Sequence, residues 1–281
     1  MKFKLVLSII ILYSSTLSAQ SQRIITLTET KKLYDSLYLT SVIDSINWQG
    51  NVQKCDCGKL EKEIYQKAEN RINFFRLING LGKVKINPKF NEQAQCAALI
   101  AKANNRLTHY PTKDMACYSE VGDKGSQKSC LNLTNYKYFG ESSFVTAFIK
   151  DYGSSNNAVG HRRWLLYSNL ESFGYGATNQ SEAILTGDGV SKEGIEGQTE
   201  FIAYPWNGHV PYQLIFNKWS FSIPEAFGAD FSGSSVILED ELGNKIPTMK
   251  LLERKNFLDP TIVWTVPQFM SEDEEMHGKN K

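Results

Sequence analysis

Beyond residues 1–19 the chain has no long hydrophobic run. Gly, Ser or Asn interrupts every later apolar stretch, so no second segment approaches the roughly 20 apolar residues that a membrane-spanning helix needs. Charge of one sign is missing too: 31 Lys and Arg face 30 Asp and Glu, a formal net charge of +1. That balance excludes nucleic-acid binding driven by overall charge, because no basic surplus exists to displace counterions. The chain has no Gly-x-Ser-x-Gly elbow and no His-Glu-x-x-His helix, which removes two common hydrolytic signatures. Gly187-Asp188-Gly189 marks a turn and not a phosphate loop. Histidine is scarce, with 4 in the chain, so any imidazole chemistry comes from a short set of residues. Internal repeats are absent, and the one biased tract is the charged tail from Ser271.

The N-terminus is the exception to the missing apolar runs. Lys2 and Lys4 precede Leu5-Val6-Leu7 and Ile9-Ile10-Ile11-Leu12, followed by the small residues Ser14, Ser15, Thr16, Ser18 and Ala19. A charged start, a short apolar centre and a small-residue end predict a signal peptide over 1–19, cut near Ala19-Gln20. Its loss removes two lysines and no acid, taking the formal charge from +1 to −1. The mature protein is therefore expected to be secreted or held at the cell surface, without a transmembrane anchor. Export permits disulfides. Of the five cysteines, Cys117 and Cys130 bracket a polar, Gly-rich loop and form the expected pair. Cys96 lies in a predicted helix with Cys55 or Cys57 as a conceivable partner, and an odd count leaves one thiol over. Cys55-Asp56-Cys57 is disfavoured as half of a metal site, because no second cysteine pair has suitable spacing.

With 41% hydrophobic and 22% charged residues, a packed core can form. Residues 20–57 read as a mixed N-terminal arm that packs on the main domain. From Lys59 to Leu81, Leu60, Ile64, Ala68, Ile72, Phe75 and Ile78 keep the spacing of an amphipathic helix, with Gly80 and Gly82 as its stop. Asn87-Pro88 supplies an N-cap and a first-position proline. The helix it opens carries Phe90, Ala94, Ala97, Ala98, Ala101 and Leu107 and ends near Pro111. A polar loop is expected over 111–140, a short helix over Ser142–Tyr152, a turn at Gly153–Asn157 and a last helical segment at Gly160–Tyr167. The period then changes to two, predicting strands near Phe173–Ala177, Ala183–Thr186 and Glu200–Tyr204. Helices followed by strands indicate an α+β fold. After Tyr204 come four or five strand-like runs, read as a small β-rich C-terminal region over 205–270, and a polar tail over 271–281. The aromatic stretch Tyr204, Trp206, Tyr212 and Trp219 reads first as packing between the two regions, with a glycan-stacking platform as the lesser alternative.

Several ordered motifs carry a family likeness. Asn73-Phe74-Phe75-Arg76 resembles an N-x-x-R first helix, and Asn87 to Gln95 a second helix ending in Ala-Gln. Leu107-Thr108-His109 resembles the close of that helix with a first histidine, and Phe139-Gly140-Glu141-Ser142 a G-E-N motif. Gly160-His161-Arg162-Arg163-Trp164-Leu165-Leu166 resembles a second histidine motif, and Phe173-Gly174-Tyr175-Gly176 the strand after it. In this order, the pieces resemble the CAP superfamily (cysteine-rich secretory proteins, antigen 5 and pathogenesis-related 1 proteins) in its bacterial form. The resemblance implies an α-β-α sandwich over 58–204. Two departures stand out. Phe148-Ile149-Lys150-Asp151 occupies the place of a Trp-x-x-Glu helix, with Asp151 standing in for the second carboxylate, and the His-x-Thr-Gln form of the second histidine is missing.

The expected ligand-binding cleft therefore contains His109, Glu141, Asp151 and His161, with Arg162 and Arg163 at its rim. Two imidazoles facing one cleft can ligate a divalent metal, zinc before others, and a carboxylate can orient an imidazole through its second nitrogen. The competing reading is a satisfied hydrogen-bond cluster that pins helices to a loop. The arginines either attract an anion or are solvated or paired with an acid, the more usual arrangement. Three functions are consistent with this set. The leading one is a non-enzymatic binding protein for an extracellular lipid, peptide or glycan ligand, as the resemblance implies. The second is a metal-assisted hydrolase of peptide or cell-wall material, and the third a surface adhesin using the β-rich region.

Overall fold

A computed structural model of the chain describes residues 24–133, 144–193 and 199–269. The predicted signal peptide, the polar tail and Glu141 lie outside the described residues. Among the described residues, no helix is long and apolar enough to cross a membrane.

The N-terminal arm begins with α1 (Leu27–Leu33), whose start is fixed by a capping box between Thr26 and Glu29. The helix runs on through a π-helical turn to Tyr38. There Tyr38 stacks on Tyr34 with ring centres 4.9 Å apart and meets Phe74 edge-on at 5.1 Å. Phe74 lies on α2 (Lys62–Ile78), and Leu60, Ile64, Ala68, Ile72, Phe75 and Ile78 are all buried, as their spacing predicts. Arg71 of α2 lies over the Tyr38 ring and donates to Ser41 Oγ and Thr146 Oγ1. These contacts tie residues 34–41 to α2.

The first sheet joins β1 (Lys85–Ile86), β2 (Ser129–Leu133), β3 (Ser172–Ala177) and β4 (Ser181–Leu185) in the order β1-β3-β4-β2. The β1–β3 pair is parallel and the other two antiparallel. Alternating side chains divide it into two buried faces. Leu131, Ala183 and Leu185 pack against Ala94, Ala97 and Ala98 of α3 (Pro88–Asn104). Cys130, Phe173, Tyr175, Ala177 and Ile184 pack on the opposite side with α2 and with α5 (Val145–Lys150) and α6 (Gly160–Leu165). This is the α-β-α sandwich. Close approach of α3 depends on Gly174 and Gly176, where an added Cβ would strike the backbones of Phe90, Ala94 and Gln95.

The motif residues of the two long helices serve the frame. Asn73 closes a reciprocal pair with Val84, Nδ2 to O at 2.9 Å and N to Oδ1 at 2.8 Å. Gln95 does the same with Ala177 on β3, at 2.7 and 3.1 Å. Arg76 is fully buried and donates to the carbonyls of Gly82, Leu165, Tyr167 and Leu170. Burial pulls its pKa down to about 10, which still leaves it charged. Such bonds satisfy carbonyls that would otherwise be buried without partners.

Two expectations are corrected here. The segment predicted as a loop over 111–140 contains α4 (Glu120–Lys128) and β2. Ser119 caps α4 by accepting from Gly122 N at 3.1 Å, and Gly125 lets it lie against α3, since a Cβ there would strike the Gln93 carbonyl. Tertiary contact overrides the low helix propensity of two glycines. The expected Cys117–Cys130 disulfide is also not formed. Cys55 pairs with Cys117, Cys57 with Cys96, and Cys130 is the free thiol. Cys130 is the second residue of β2, sealed in the core, where burial pushes its thiol pKa far up.

The β-rich C-terminal region is present. Its sheet has the order β5-β6-β10-β9, formed by β5 (Ile202–Tyr204), β6 (Lys218–Ser222), β9 (Met249–Arg254) and β10 (Thr261–Thr265), all antiparallel. β7 (Leu238–Glu239) and β8 (Lys245–Ile246) form a separate pair. The strand predicted near 200–204 exists, but it pairs with β6 and so joins this second sheet. Trp219, Phe221, Ile262 and Trp264 build the core of that sheet. Tyr204 and Trp206 instead pack into the first region, Trp206 meeting Phe74 edge-on at 5.8 Å, whereas Tyr212 is exposed. A polar seam joins the two regions: Asp259 accepts from Ser168 N and Oγ at 2.9 and 2.7 Å, and Arg163 donates to Thr261 Oγ1 at 3.2 Å.

Candidate functional site

His109 and His161 lie 52 positions apart in the sequence and line the same cavity, of about 370 Å³. One wall comes from the end of α3 and from β2. Asn105 ends α3 in a left-handed conformation, φ 45°. The chain then turns to bring Leu107 and His109 beside Leu131, Asn132 and Leu133. His109 Nδ1 donates to the carbonyl oxygen of Ser126 in α4 at 2.8 Å. A carbonyl can only accept, so Nδ1 carries the proton and Nε2 the lone pair of the neutral ring.

The other wall runs from α5 through a tight turn to α6. Ala147, Phe148, Tyr152 and Asn156 lie along it with His161. Asp151 ends α5 in the left-handed region, φ 52°, a conformation that Asp tolerates better than most residues. Its buried carboxylate accepts from three donors: His161 Nδ1 at 3.0 Å, His161 N at 2.9 Å and Arg162 N at 3.3 Å. It thereby caps α6 and orients the imidazole in one arrangement, and His161 Nε2 again becomes the lone-pair atom. Phe148 meets the His161 ring edge-on at 5.4 Å and fixes its plane.

The expected residues fall into three groups. His109 and His161 line the cavity, and Asp151 stands behind His161 and acts through it. Arg162 is a correction: it is no rim residue. Its guanidinium is fully buried, donating to Ile149 O at 2.7 Å, Lys150 O at 3.3 Å and Ser220 Oγ at 3.1 Å, and lying over the Tyr204 ring at 4.3 Å. Burial lowers its pKa to about 10. Arg163 is also turned away, toward the carbonyl of Phe257 and the hydroxyl of Thr261. Both guanidiniums are held chiefly by carbonyls and hydroxyls of the fold, where the sequence had suggested solvation or an acid partner. Glu141 lies outside the described residues. Among the described residues no group of three or more His, Cys, Asp or Glu side chains is placed to hold a metal ion, and no Lys, Arg, Asp or Glu lines the cavity.

The polar wall residues Thr108, Asn132, Tyr152, Ser155 and Asn156 were not among the expected site residues, and Asn132 has the most buried partner. Asn132 Nδ2 donates to Glu182 Oε2 at 3.1 Å, and Tyr175 OH donates to Glu182 Oε1 at 2.8 Å. Glu182 is completely buried in β4, and desolvation raises its pKa from 4.5 to about 7 despite both bonds. The signal available in the sequence was a lone acid beside the apolar run Ala183-Ile184-Leu185.

Residues 69–186 match the family model described as CAP, cysteine-rich secretory protein family. No curated protein and no solved structure matches the chain. The matched span runs from within α2 to just past β4. It contains both histidines and both walls of the cavity, and the second sheet lies beyond it.

Proposed function

The chain belongs to the CAP superfamily, and on that premise we propose that it is an exported, non-enzymatic binding protein whose cleft receives a divalent cation between His109 and His161. The observation that carries this reading is that both imidazoles line one cavity with Nδ1 already engaged elsewhere. Each ring is thereby held in the tautomer that leaves Nε2 free to ligate, with a carbonyl or carboxylate behind it, as at metal-binding histidines generally. Two protein ligands make a weak, open site, with the remaining positions left to water or to a second ligand. The leucines and Phe148 along the walls offer that second ligand an apolar surface. Among the described residues, an anionic headgroup finds no lysine or arginine on the lining to pair with. Export rests on the signal sequence of residues 1–19, and the two disulfides fit an extracellular protein.

Zinc is the probe. At a concentration of about 100 Kd, a ligand bound only by the native state stabilises it by about 2.7 kcal/mol. Zinc is expected to raise the melting temperature of the wild-type protein, and His161→Ala or His109→Ala to abolish the rise. A melting temperature indifferent to zinc, or a rise that survives both substitutions, contradicts the proposal.

A further inference from the structure

Lys218 opens β6, beyond the span matched by the family. It is 4% exposed, and its ammonium donates to three backbone carbonyls: Asp151 O at 2.8 Å, Gly153 O at 2.6 Å and Asn156 O at 3.2 Å. All three belong to the turn between α5 and α6. The same turn supplies Tyr152, Gly153, Ser155 and Asn156 to the cavity wall and carries Asp151, the partner of His161 Nδ1. Its backbone is unusual. Asp151 and Gly153 both have positive φ, 52° and 88°, and the chain folds back so that these carbonyls converge on one point. Converging carbonyl dipoles repel one another unless a cation lies between them, and an ammonium brings three N–H donors to the place where that charge is needed.

Arg162 completes the pattern from the other side by taking the carbonyls of Ile149 and Lys150 at the end of α5. Its Nη1 reaches Ser220, two residues along β6 from Lys218. The end of α5 and the turn after it are thus held by two buried cations, one of which comes from the second sheet.

We propose that Lys218 is a positioning residue for the cleft: a tethered cation that gathers the carbonyls of the 151–156 turn and so holds the Asp151 carboxylate against His161. The second sheet then belongs to the working site and is not a separable appendage. The geometry stands by itself, and only its consequence for ligand binding rests on the function proposed above.

The test uses the full chain with Lys218→Met, which keeps an unbranched stem and removes the donors. Ser220→Ala is the control, cutting a neighbouring seam bond without touching the turn. Amide exchange at His161 and Arg162, whose N–H groups donate to Asp151, is expected to quicken about tenfold or more in Lys218→Met. Exchange in α3 should stay as in the wild type. The imidazole ¹⁵N signals of His161 are expected to move from a pure Nδ1–H form toward a mixture of tautomers, and zinc affinity to fall about tenfold, the equivalent of one lost hydrogen bond. Ser220→Ala should leave these readings alone, and Lys218→Arg, which keeps charge and donors, should restore the His161 signature if the methionine variant does not fold. Unchanged His161 and Arg162 exchange in Lys218→Met, equal quickening in α3, or an arginine variant whose His161 is a tautomer mixture overturns the proposal. Should the wild type bind no zinc, the proposed function fails while the exchange and tautomer readings still decide the role of Lys218.

Discussion

His109 and His161 share a cavity but are held by unlike means. The His109 wall is tied covalently: Cys57–Cys96 anchors α3, and Cys55–Cys117 anchors the segment that leads into α4. Its imidazole rests on a neutral carbonyl. The His161 wall contains no disulfide. It depends on a buried carboxylate, on left-handed backbone at Asp151, and on two buried cations that collect carbonyls. The first wall is built from covalent cross-links between residues 62 and 39 positions apart, which restrict the unfolded chain. The second is built from desolvated charge, which stabilises only while every partner stays in place. The comparison teaches that a small domain can fix one half of a site with covalent bonds and leave the other half to electrostatics supplied by a different sheet.

The largest expected effect breaks the covalent half. Replacing both Cys57 and Cys96 with serine opens a cross-link with a sequence separation of 39 residues, worth about 4 kcal/mol by chain entropy. Urea unfolding should show that loss, and amide exchange should quicken at the end of α3 before it does at His161. Loosening that begins at His161 instead would erase the distinction between the walls. Next in size is Asp151→Ala. It removes one acceptor from three donors and leaves an alanine at positive φ, for an expected loss of about 3 kcal/mol in chemical denaturation. Asp151→Asn should cost clearly less, because asparagine tolerates the left-handed region. Equal losses in the two variants would mean that the lost carboxylate charge, and not tolerance of the left-handed backbone, sets the cost.

The smallest effect sharpens the comparison through pH, at Glu182 behind Asn132. In the fold its carboxyl ionises at about 7, against 4.5 for the free side chain, so the native state holds the proton longer than the unfolded chain does. The stability this contributes is fully present below pH 4.5 and lost as pH rises through 7. The total is at most about 3 kcal/mol. Glu182→Gln keeps a neutral side chain at every pH and should flatten the decline between pH 4.5 and 7 in a series of urea midpoints. A decline of the same slope in the variant would remove Glu182 as its source.

Much of the frame was legible beforehand. The spacing of α2, the Asn87-Pro88 start of α3 and the period-two strands each put a local preference in agreement with the final packing. The histidine pair was legible only through its motifs, since nothing in spacing alone joins residue 109 to residue 161. What escaped was set by tertiary contact. α4 carries two glycines and becomes helical because α3 lies against it. Met249–Arg254, rich in Lys, Leu, Glu and Arg, looks no more like a strand than a helix, yet it pairs with β10 along its length. Arg162 looked like a surface residue because a single sequence does not show the carbonyls waiting for a guanidinium. Lys218 drew no attention for the same reason. A partner for Cys96 among Cys55 and Cys57 was legible, and Cys57 fills it, but the partner of Cys117 escaped because Cys130 sits in a buried strand where the sequence suggests a loop.

The central claim is that two distant imidazoles act as one site. The most direct measurement is a zinc titration followed by long-range ¹H–¹⁵N spectra of the histidine rings. The Nε2 signals of His109 and His161 should shift together at a common midpoint, with both Nδ1–H groups retained and the exposed His209 unmoved. Movement of only one of the two rings, or separate midpoints for them, would contradict a shared site.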